Sequence, residues 1–207
     1  MAAVQANGPW NTTSRMVPGE VVKTYNAKAL WDQVAFAAWA CADPGTQYDT
    51  TINTWHTCKA TERIYGSNPC SEYMFLDDTA CNLASLNLMK FLKPDGTFDL
   101  DSYRHAIRVF FVAQEILVGY SSYPTKDIAQ NSEDYRPLGL GYANLGALLM
   151  VTGHPYDSPE GRAIAGALTA ILTGHAYRVS AEMAQVKGPF TGMQVKDASG
   201  KSNHAYM

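Results

Sequence analysis

Apolar residues recur at helical spacing in four stretches of this chain, and polar residues punctuate the segments between them. In the first stretch one face carries Leu30, Val34, Ala37, Ala38 and Cys41. The pattern predicts a helix that Asn26 caps and that runs to about Ala42, where Asp43-Pro44-Gly45 stops it. Cys41 belongs to the apolar stripe and is predicted to be a small core residue.

Two more helices are predicted in the second half of the chain. One is capped by Asp99 and runs to about Tyr120, with a core-facing stripe of Tyr103, Ile107, Phe110, Phe111, Gln114, Leu117 and Val118. The other starts near Pro137 and runs to about Thr152, with Gly153 in the position that follows a helix C-cap. Between them, Pro124 indicates a loop.

The fourth helix has the clearest boundaries. Ser158 is a good N-cap, Pro159 suits the first helical position, and Gly188-Pro189 ends the pattern. Small residues on this helix would allow a neighbouring helix to approach closely; they are Gly161, Ala165, Gly166, Ala170 and Gly174.

Extended structure is sparse. Residues 1–26 are predicted to be irregular or extended, 46–67 loop-rich, and 193–207 a loosely held tail. Short extended segments are expected at Tyr73–Leu76 and Leu83–Met89, which are too few to build a sheet alone. The prediction is therefore a helix-rich α/β chain, one partial domain over 1–207, whose strands pair with strands outside it.

Composition excludes several classes of function. The chain has 207 residues, 46% of them hydrophobic, which suits one domain with a core. Its formal net charge is −3 and its basic residues are scattered, so a nucleic-acid partner has little electrostatic support. No apolar run or leader pattern predicts a membrane span or a signal peptide, and the expected compartment is the cytoplasm.

Four cysteines, at 41, 58, 70 and 81, fit a reducing compartment better than a disulfide framework. His56 and Cys58 with Cys70 and Cys81 could form a zinc site, but their spacing is unlike that of known zinc motifs, so no metal is predicted. Cys58 is expected to be a structural thiol. Glycine patterns at 139–146 and 200–202 each lack a glycine that a nucleotide-binding loop requires.

The segment Asn68-Pro69-Cys70-Ser71-Glu72 carries the most distinctive chemistry. If the chain is extended here, Asn68, Cys70 and Glu72 point to one face, which joins an amide, a thiol and a carboxyl group. Pro69 disfavours helix at the preceding residue, which favours that conformation. By itself the pentapeptide fits a structural loop with a buried cysteine better, because short patterns often occur by chance.

A longer string of residues favours catalysis. The run from Asn68 to Tyr73, followed by Asp77-Asp78-Thr79-Ala80-Cys81-Asn82-Leu83-Ala84-Ser85-Leu86-Asn87-Leu88, closely resembles the finger-loop region of class II, adenosylcobalamin-dependent ribonucleotide reductases. Segments 42–45, 48–53, 55–58, 138–141 and 154–158 fit the same family. The resemblance implies a ten-stranded α/β barrel with this loop projecting up its centre.

The resemblance also implies roles for four residues. Cys70 would carry a thiyl radical, generated with adenosylcobalamin, that abstracts the ribose 3′ hydrogen. Glu72 would be the general base on the 3′ hydroxyl, and Asn68 would hydrogen-bond the ribose hydroxyls. Cys81 would supply reducing equivalents as the 2′ hydroxyl leaves. The residues that flank the motif resemble the cobalamin-dependent type more than reductases that depend on a di-metal subunit.

Several parts of such an enzyme are not recognisable in this sequence. They are the upstream cysteine that pairs with Cys81, the substrate-phosphate loop, and the cysteine pair that relays electrons from a thioredoxin-like donor. The chain is therefore expected to be an inactive fragment of a cobalamin-dependent ribonucleoside-diphosphate reductase. Its partners would be a ribonucleotide, the remainder of the reductase chain, a thioredoxin-type donor and, as one allowed assembly, a second copy in a homodimer. The alternative is a non-enzymatic helical interaction module derived from the same family, with Asn68 and Glu72 dispensable.

Overall fold

The computed structural model describes residues 1–207 and divides them into two units, 1–48 and 49–207. In chain order the helices are α1 (Ala2–Gln5), α2 (Ala27–Cys41), α3 (Asp49–Trp55), α4 (Leu100–Tyr120), α5 (Lys126–Tyr135), α6 (Leu145–Val151), α7 (Pro159–Lys187) and α8 (Asn203–Tyr206). The strands are β1 (Pro9–Thr13), β2 (Val21–Asn26), β3 (Asn82–Asn87) and β4 (Leu138–Ala143). Short 3₁₀ turns occur at Leu88–Phe91 and Thr191–Gln194. No helix combines the length and the apolar character needed to cross a bilayer.

The first unit is a hairpin followed by a helix. Strands β1 and β2 pair antiparallel, with Pro9 opposite Asn26, so of the two conformations predicted for residues 1–26 the extended one forms over these strands. Both strands are rich in β-branched and aromatic residues, which favour a pleated conformation once a partner strand is present. The Asn26 side chain accepts a hydrogen bond from the Ala29 N–H at 2.8 Å and caps α2, as predicted.

The apolar stripe of α2 is less buried than its pattern predicts. Ala27 is the only buried residue of this helix, and Leu30 is more than a third exposed. Cys41 is also exposed, so its prediction as a core residue is wrong. The helix ends at Ala42, whose backbone adopts a left-handed conformation (φ 64°).

The second unit is built around two parallel strands and two long helices. Strands β3 and β4 run in register from Asn82 opposite Leu138 to Asn87 opposite Ala143. Helix α4 packs on both strands and along α7. The buried core between these elements consists of Leu86, Leu88, Tyr103, Ile107, Leu148, Leu168 and Leu172. This arrangement confirms the α/β class.

Helices α4 and α7 have the predicted boundaries. Asp99 accepts a hydrogen bond from the Ser102 N–H at 3.0 Å, and Ser158 accepts one from the Gly161 N–H at 2.9 Å. Tyr103, Ile107, Gln114 and Val118 of α4 are buried, whereas Phe110 and Leu117 are exposed. On α7, a side chain at Gly161 would meet backbone oxygen, but Gly166 and Gly174 face open space. Close helix approach at those two glycines is therefore not observed.

The prediction of one helix from Pro137 to Thr152 is wrong at its start. Residues 138–143 form β4, and Asn144 takes a left-handed conformation (φ 68°) before α6 begins. A Gly-Leu-Gly segment has little strand preference of its own, so pairing with β3 decides its conformation. Gly153 follows the end of α6 with φ 79°, as predicted. Helices α3 and α5 were not predicted, and Tyr73–Leu76 forms no regular strand.

The last residues are held by a buried asparagine. The Asn203 side chain accepts from the Ala60 N–H and donates to Thr61 Oγ1 and the Gly192 carbonyl oxygen, each at 2.8 Å. Thr61 in turn shares a hydrogen bond of 2.6 Å with the Tyr135 hydroxyl. The segment predicted to be a loosely held tail therefore folds back onto the body of this unit.

Candidate active site

A tight turn carries the Asn68–Glu72 motif. The Ser71 N–H donates to the Asn68 carbonyl oxygen at 3.0 Å, and Ser71 adopts a left-handed backbone conformation (φ 64°). Pro69 occupies the second position of this turn, which its fixed φ favours. The extended conformation predicted from the sequence is therefore wrong between Asn68 and Ser71, because proline suits either geometry and the hydrogen bond selects the turn.

The Asn68 side chain organises the residues on the far side of the turn. Its carbonyl oxygen accepts a hydrogen bond from the Tyr73 N–H at 3.0 Å. Its amide hydrogen-bonds the Glu72 carboxylate and, with the Glu72 backbone N–H, lowers the pKa of that carboxyl group below its ordinary value. The turn thus brings the amide and the carboxylate of the predicted trio together and keeps Glu72 ionised.

Cys70 lies at the exposed tip of the same turn. Its thiol makes no hydrogen bond, and it is not packed into the apolar core. A buried, purely structural cysteine was the alternative, and the observed exposure argues against it. The exposed sulfur can be approached by a substrate or by a radical generator.

Cys81 lies directly before β3 and is half-buried. Burial raises the pKa of its thiol, and the nearby negative charge of Glu72 raises it further. The Ala80 N–H donates to the Oγ of the fully buried Ser132 at 3.0 Å, which anchors α5 to the chain just before the thiol. The Glu72 carboxylate and the Cys81 thiol are therefore close enough to interact electrostatically, although the two residues are nine positions apart in the sequence.

Gly139 provides the space for the Cys81 sulfur. A Cβ atom at position 139 would lie 2.9 Å from Cys81 Sγ and 2.5 Å from Leu83 Cδ2. Both distances are far shorter than a normal carbon contact. Any side chain on this strand position would displace the thiol.

An aromatic layer supports the motif from below. The Tyr73 hydroxyl hydrogen-bonds Thr79 Oγ1 at 2.7 Å, and burial raises the pKa of Tyr73 to about 12. The ring of Phe75 packs against the rings of Tyr73, His56 and Tyr135, with centroids about 6 Å apart. Phe75 also packs on a buried cluster of Cys58, Leu76 and Tyr135. The turn is thus seated on a packed base, which restricts its motion.

A family model described as "Ribonucleotide reductase, barrel domain" matches residues 8–206. The chain belongs to this family. The resemblance stated from Asn68–Leu88 is therefore confirmed for the chain as a whole, and the motif geometry described above is that of a ribonucleotide reductase segment.

Similar reductases from bacteria cover most of this chain. The "Vitamin B12-dependent ribonucleotide reductase" of Streptomyces coelicolor is 56% identical over 196 residues, which is 93% of this chain and 20% of that protein. The protein of the same name from Rhodopirellula baltica is 59% identical over 175 residues, 84% of this chain and 17% of its own length. A "Vitamin B12-dependent ribonucleoside-diphosphate reductase" of Mycobacterium tuberculosis is 32% identical over 190 residues, 92% of this chain and 27% of its own length. The chain spans about a fifth of the length of the first two relatives.

The side chains of His56 and Cys58 have structural surroundings in this chain. The His56 ring accepts from the Cys58 N–H at 3.3 Å through Nδ1 and lies 2.9 Å from the Glu62 carbonyl oxygen through Nε2. With the hydrogen on Nε2, both ring nitrogens are satisfied by the backbone, and a metal would have to break one of these bonds. No group of three or more His, Cys, Asp or Glu side chains is arranged to hold a metal ion. The zinc hypothesis has no geometric support.

Sequence reasoning missed two residues that shape this candidate site. Gly139 was considered only as part of a nucleotide-loop pattern, and Gln114 only as a member of a core stripe. A glutamine in the middle of an otherwise apolar helix face was the available signal, since a buried amide requires hydrogen-bond partners. The contact between Gly139 and Cys81 had no such signal, because it depends on strand pairing.

Proposed function

We propose that this chain is the part of a vitamin B12-dependent ribonucleotide reductase that presents the radical-bearing thiol to the substrate ribose. The observation that carries the proposal is the turn at 68–71, where an exposed Cys70 lies beside an amide-held, ionised Glu72. The names of the relatives from Streptomyces and Rhodopirellula support the cofactor and the reaction.

The three residues of the turn would act on the 3′ position of the ribose. The Cys70 thiyl radical takes the 3′ hydrogen atom, and the Cys70 S–H bond is thereby re-formed. Glu72 accepts the proton of the 3′ hydroxyl, which its lowered pKa permits at neutral pH. Asn68 donates to the ribose hydroxyls and to Glu72, so one amide aligns substrate and base.

Adenosylcobalamin, when bound, would supply the radical chemistry that removes the hydrogen atom from the Cys70 thiol. The chain's contribution is an accessible sulfur on a turn fixed by a backbone hydrogen bond and by the Asn68 side chain. That arrangement fits the cofactor's requirement for a thiol that it can reach.

Cys81 would deliver reducing equivalents at the 2′ position. Two thiols lose two hydrogen atoms and become a disulfide, the 2′ hydroxyl leaves as water, and C2′ gains hydrogen. The raised pKa of Cys81 suits this role, because the thiol keeps its hydrogen until the 2′ hydroxyl departs. Glu72 thus has a second effect: its negative charge helps to keep Cys81 protonated.

The same proposal extends to the complete fold, the substrate and the electron donor. The ten-stranded barrel with a central finger loop would be completed by the remainder of the reductase chain. Ribonucleoside diphosphates are the proposed substrates, in line with the name of the Mycobacterium tuberculosis relative. A thioredoxin-type donor would re-reduce the disulfide. A homodimer and a cytoplasmic location stay predictions.

A graft tests the proposed function. We would replace the matching segment of the Streptomyces coelicolor reductase, over the 196 aligned residues, with this chain and assay deoxyribonucleotide formation with adenosylcobalamin and a dithiol. We expect turnover comparable to that of the parent enzyme, because the motif and its supports are carried by the graft. A graft that folds and binds adenosylcobalamin but forms no deoxyribonucleotide contradicts the proposal.

The pH profile of an Asn68 variant tests the link between the amide and the base. Because the pKa of Glu72 is lowered in the folded chain, its ionised form is favoured down to a lower pH than for a free carboxyl group. In the grafted reductase, Asn68→Ala should therefore move the acidic limb of the kcat profile to higher pH, besides lowering kcat. Asn131→Ala, at a partly buried amide on α5, is the control and should leave the acidic limb in place. An unchanged limb in Asn68→Ala would show that Glu72 ionises independently of the amide.

A further inference from the structure

A buried glutamine joins the starts of the two parallel strands. Gln114 of α4 is 2% exposed, and its Nε2 donates to the carbonyl oxygens of Asn82 at 2.8 Å and Gly139 at 2.9 Å. The Asn82 side chain donates back to the Gln114 backbone oxygen at 3.3 Å. The two hydrogens of one amide group thus join the first residue of β3 to the second residue of β4.

Packing alone does not account for this residue. The side-chain oxygen of Gln114 is buried and has no hydrogen-bond partner. A buried acceptor without a partner is destabilising, and methionine or leucine would fill similar space without that cost. The useful part of the side chain is therefore its pair of donors and the two carbonyl groups that they hold.

Both carbonyl groups belong to residues that flank the Cys81 sulfur. Asn82 follows Cys81 directly, and Gly139 is the residue whose missing side chain makes room for Sγ. Gly139 pairs with Leu83, the second residue of β3. A shift of either strand start would change the depth of the thiol between them.

We infer that Gln114 is a positioning residue that fixes the depth of the Cys81 thiol by holding the starts of strands β3 and β4 against α4. The importance of that depth for turnover rests on the proposed function, whereas the clamp itself does not. The thiol must be buried enough to keep its hydrogen and exposed enough to reach the sugar and the disulfide partner. Burial is the main cause of the raised pKa of Cys81, so a looser clamp lowers that pKa toward its ordinary value.

The test is the alkylation of Cys81 in the grafted reductase with iodoacetamide across pH, followed on the Cys81 peptide by mass spectrometry. We expect Gln114→Met to raise the rate at pH values below the thiol pKa about three- to tenfold, because the thiolate fraction rises tenfold for each unit by which the pKa falls. Methionine matches glutamine in volume and leaves both carbonyl groups without the amide. The peptide containing Cys70 serves as the internal reference and should keep its rate.

Val118→Ala is the matched control. Val118 is also buried on α4, one turn beyond Gln114, and its truncation loosens the core without touching either carbonyl group. The inference stands if Cys81 responds to Gln114→Met and not to Val118→Ala. Equal responses in both variants, or none in Gln114→Met, overturn it. Alkylation does not require turnover, so an inactive graft would contradict the proposed function and leave this result interpretable.

Discussion

Replacing Cys70 with serine should abolish deoxyribonucleotide formation in the grafted reductase. Hydrogen exchange between a thiol and a ribose C–H bond is nearly balanced in energy, whereas a serine O–H bond is much stronger and its hydrogen is not released. We expect a loss of more than about a thousandfold in turnover, which corresponds to about 4 kcal/mol in the activation barrier. Quantifying the deoxyribonucleotide product by chromatography at saturating adenosylcobalamin measures the effect.

Cys41→Ser is the control for this variant. Cys41 is also exposed, but it lies at the end of α2 and takes no part in the motif. Its substitution should leave turnover unchanged, so the pair of variants separates the loss of a particular thiol from the loss of any surface thiol. If Cys70→Ser retains turnover close to that of the parent, Cys70 is not the radical-bearing residue.

Adding one methyl group at Gly139 should reduce turnover with little effect on substrate binding. The Cβ of an alanine there would overlap the positions of Cys81 Sγ and Leu83 Cδ2, so the thiol must move. A displacement of about 1 Å in a reacting group can cost about a hundredfold in rate, and we expect a loss of roughly ten- to hundredfold in kcat. KM should change little, because Gly139 lies beneath the thiol rather than at the exposed turn.

Gly141→Ala is the control for this variant. It tests whether the loss of kcat depends on the position of the added methyl group or follows from any methyl group added to β4. Gly141 lies two residues further along β4 and faces the same side of the strand, but its new Cβ would lie 3.9 Å from Ser85 Oγ, an ordinary contact. This variant should keep kcat within about twofold, as expected for a site without overlap. Similar losses in both variants would attribute the Gly139 effect to general disturbance of β4.

Helix ends were predictable because the chemistry that fixes them is local. Asp99 and Ser158 each cap a helix whose first turn is adjacent in sequence, and both boundaries are confirmed. Strand β4 was not predictable in the same way. Its glycines favour no conformation, and the decisive pairing with β3 joins residues more than fifty positions apart. The α/β class followed from the sequence, but the position of β4 required the folded chain.

The sequence predicted which residues form the candidate site, but it did not predict how they are arranged. The longer string around Asn68–Leu88 identified the family, and the structure brings Asn68, Glu72 and Cys81 together around the turn that bears Cys70. Their catalytic roles remain predictions. The turn geometry was missed because Pro69 fits extended and turn conformations equally, and the left-handed conformation at Ser71 has no glycine to signal it. The contacts made by Gln114 and Gly139 join three separate elements, so no local pattern reveals them.

The contacts of Asn203 can form only late in synthesis, because this residue lies near the end of the chain. The bond from the Ala60 N–H to Asn203 joins residues 143 positions apart. Through Thr61 and Tyr135 it completes the aromatic base beneath the turn that bears Cys70. Contacts of such separation close late, because the intervening chain must first be ordered. On the ribosome, the turn with Cys70 therefore emerges long before its base can close. The packed base beneath this turn is complete only after residue 203 has left the exit tunnel.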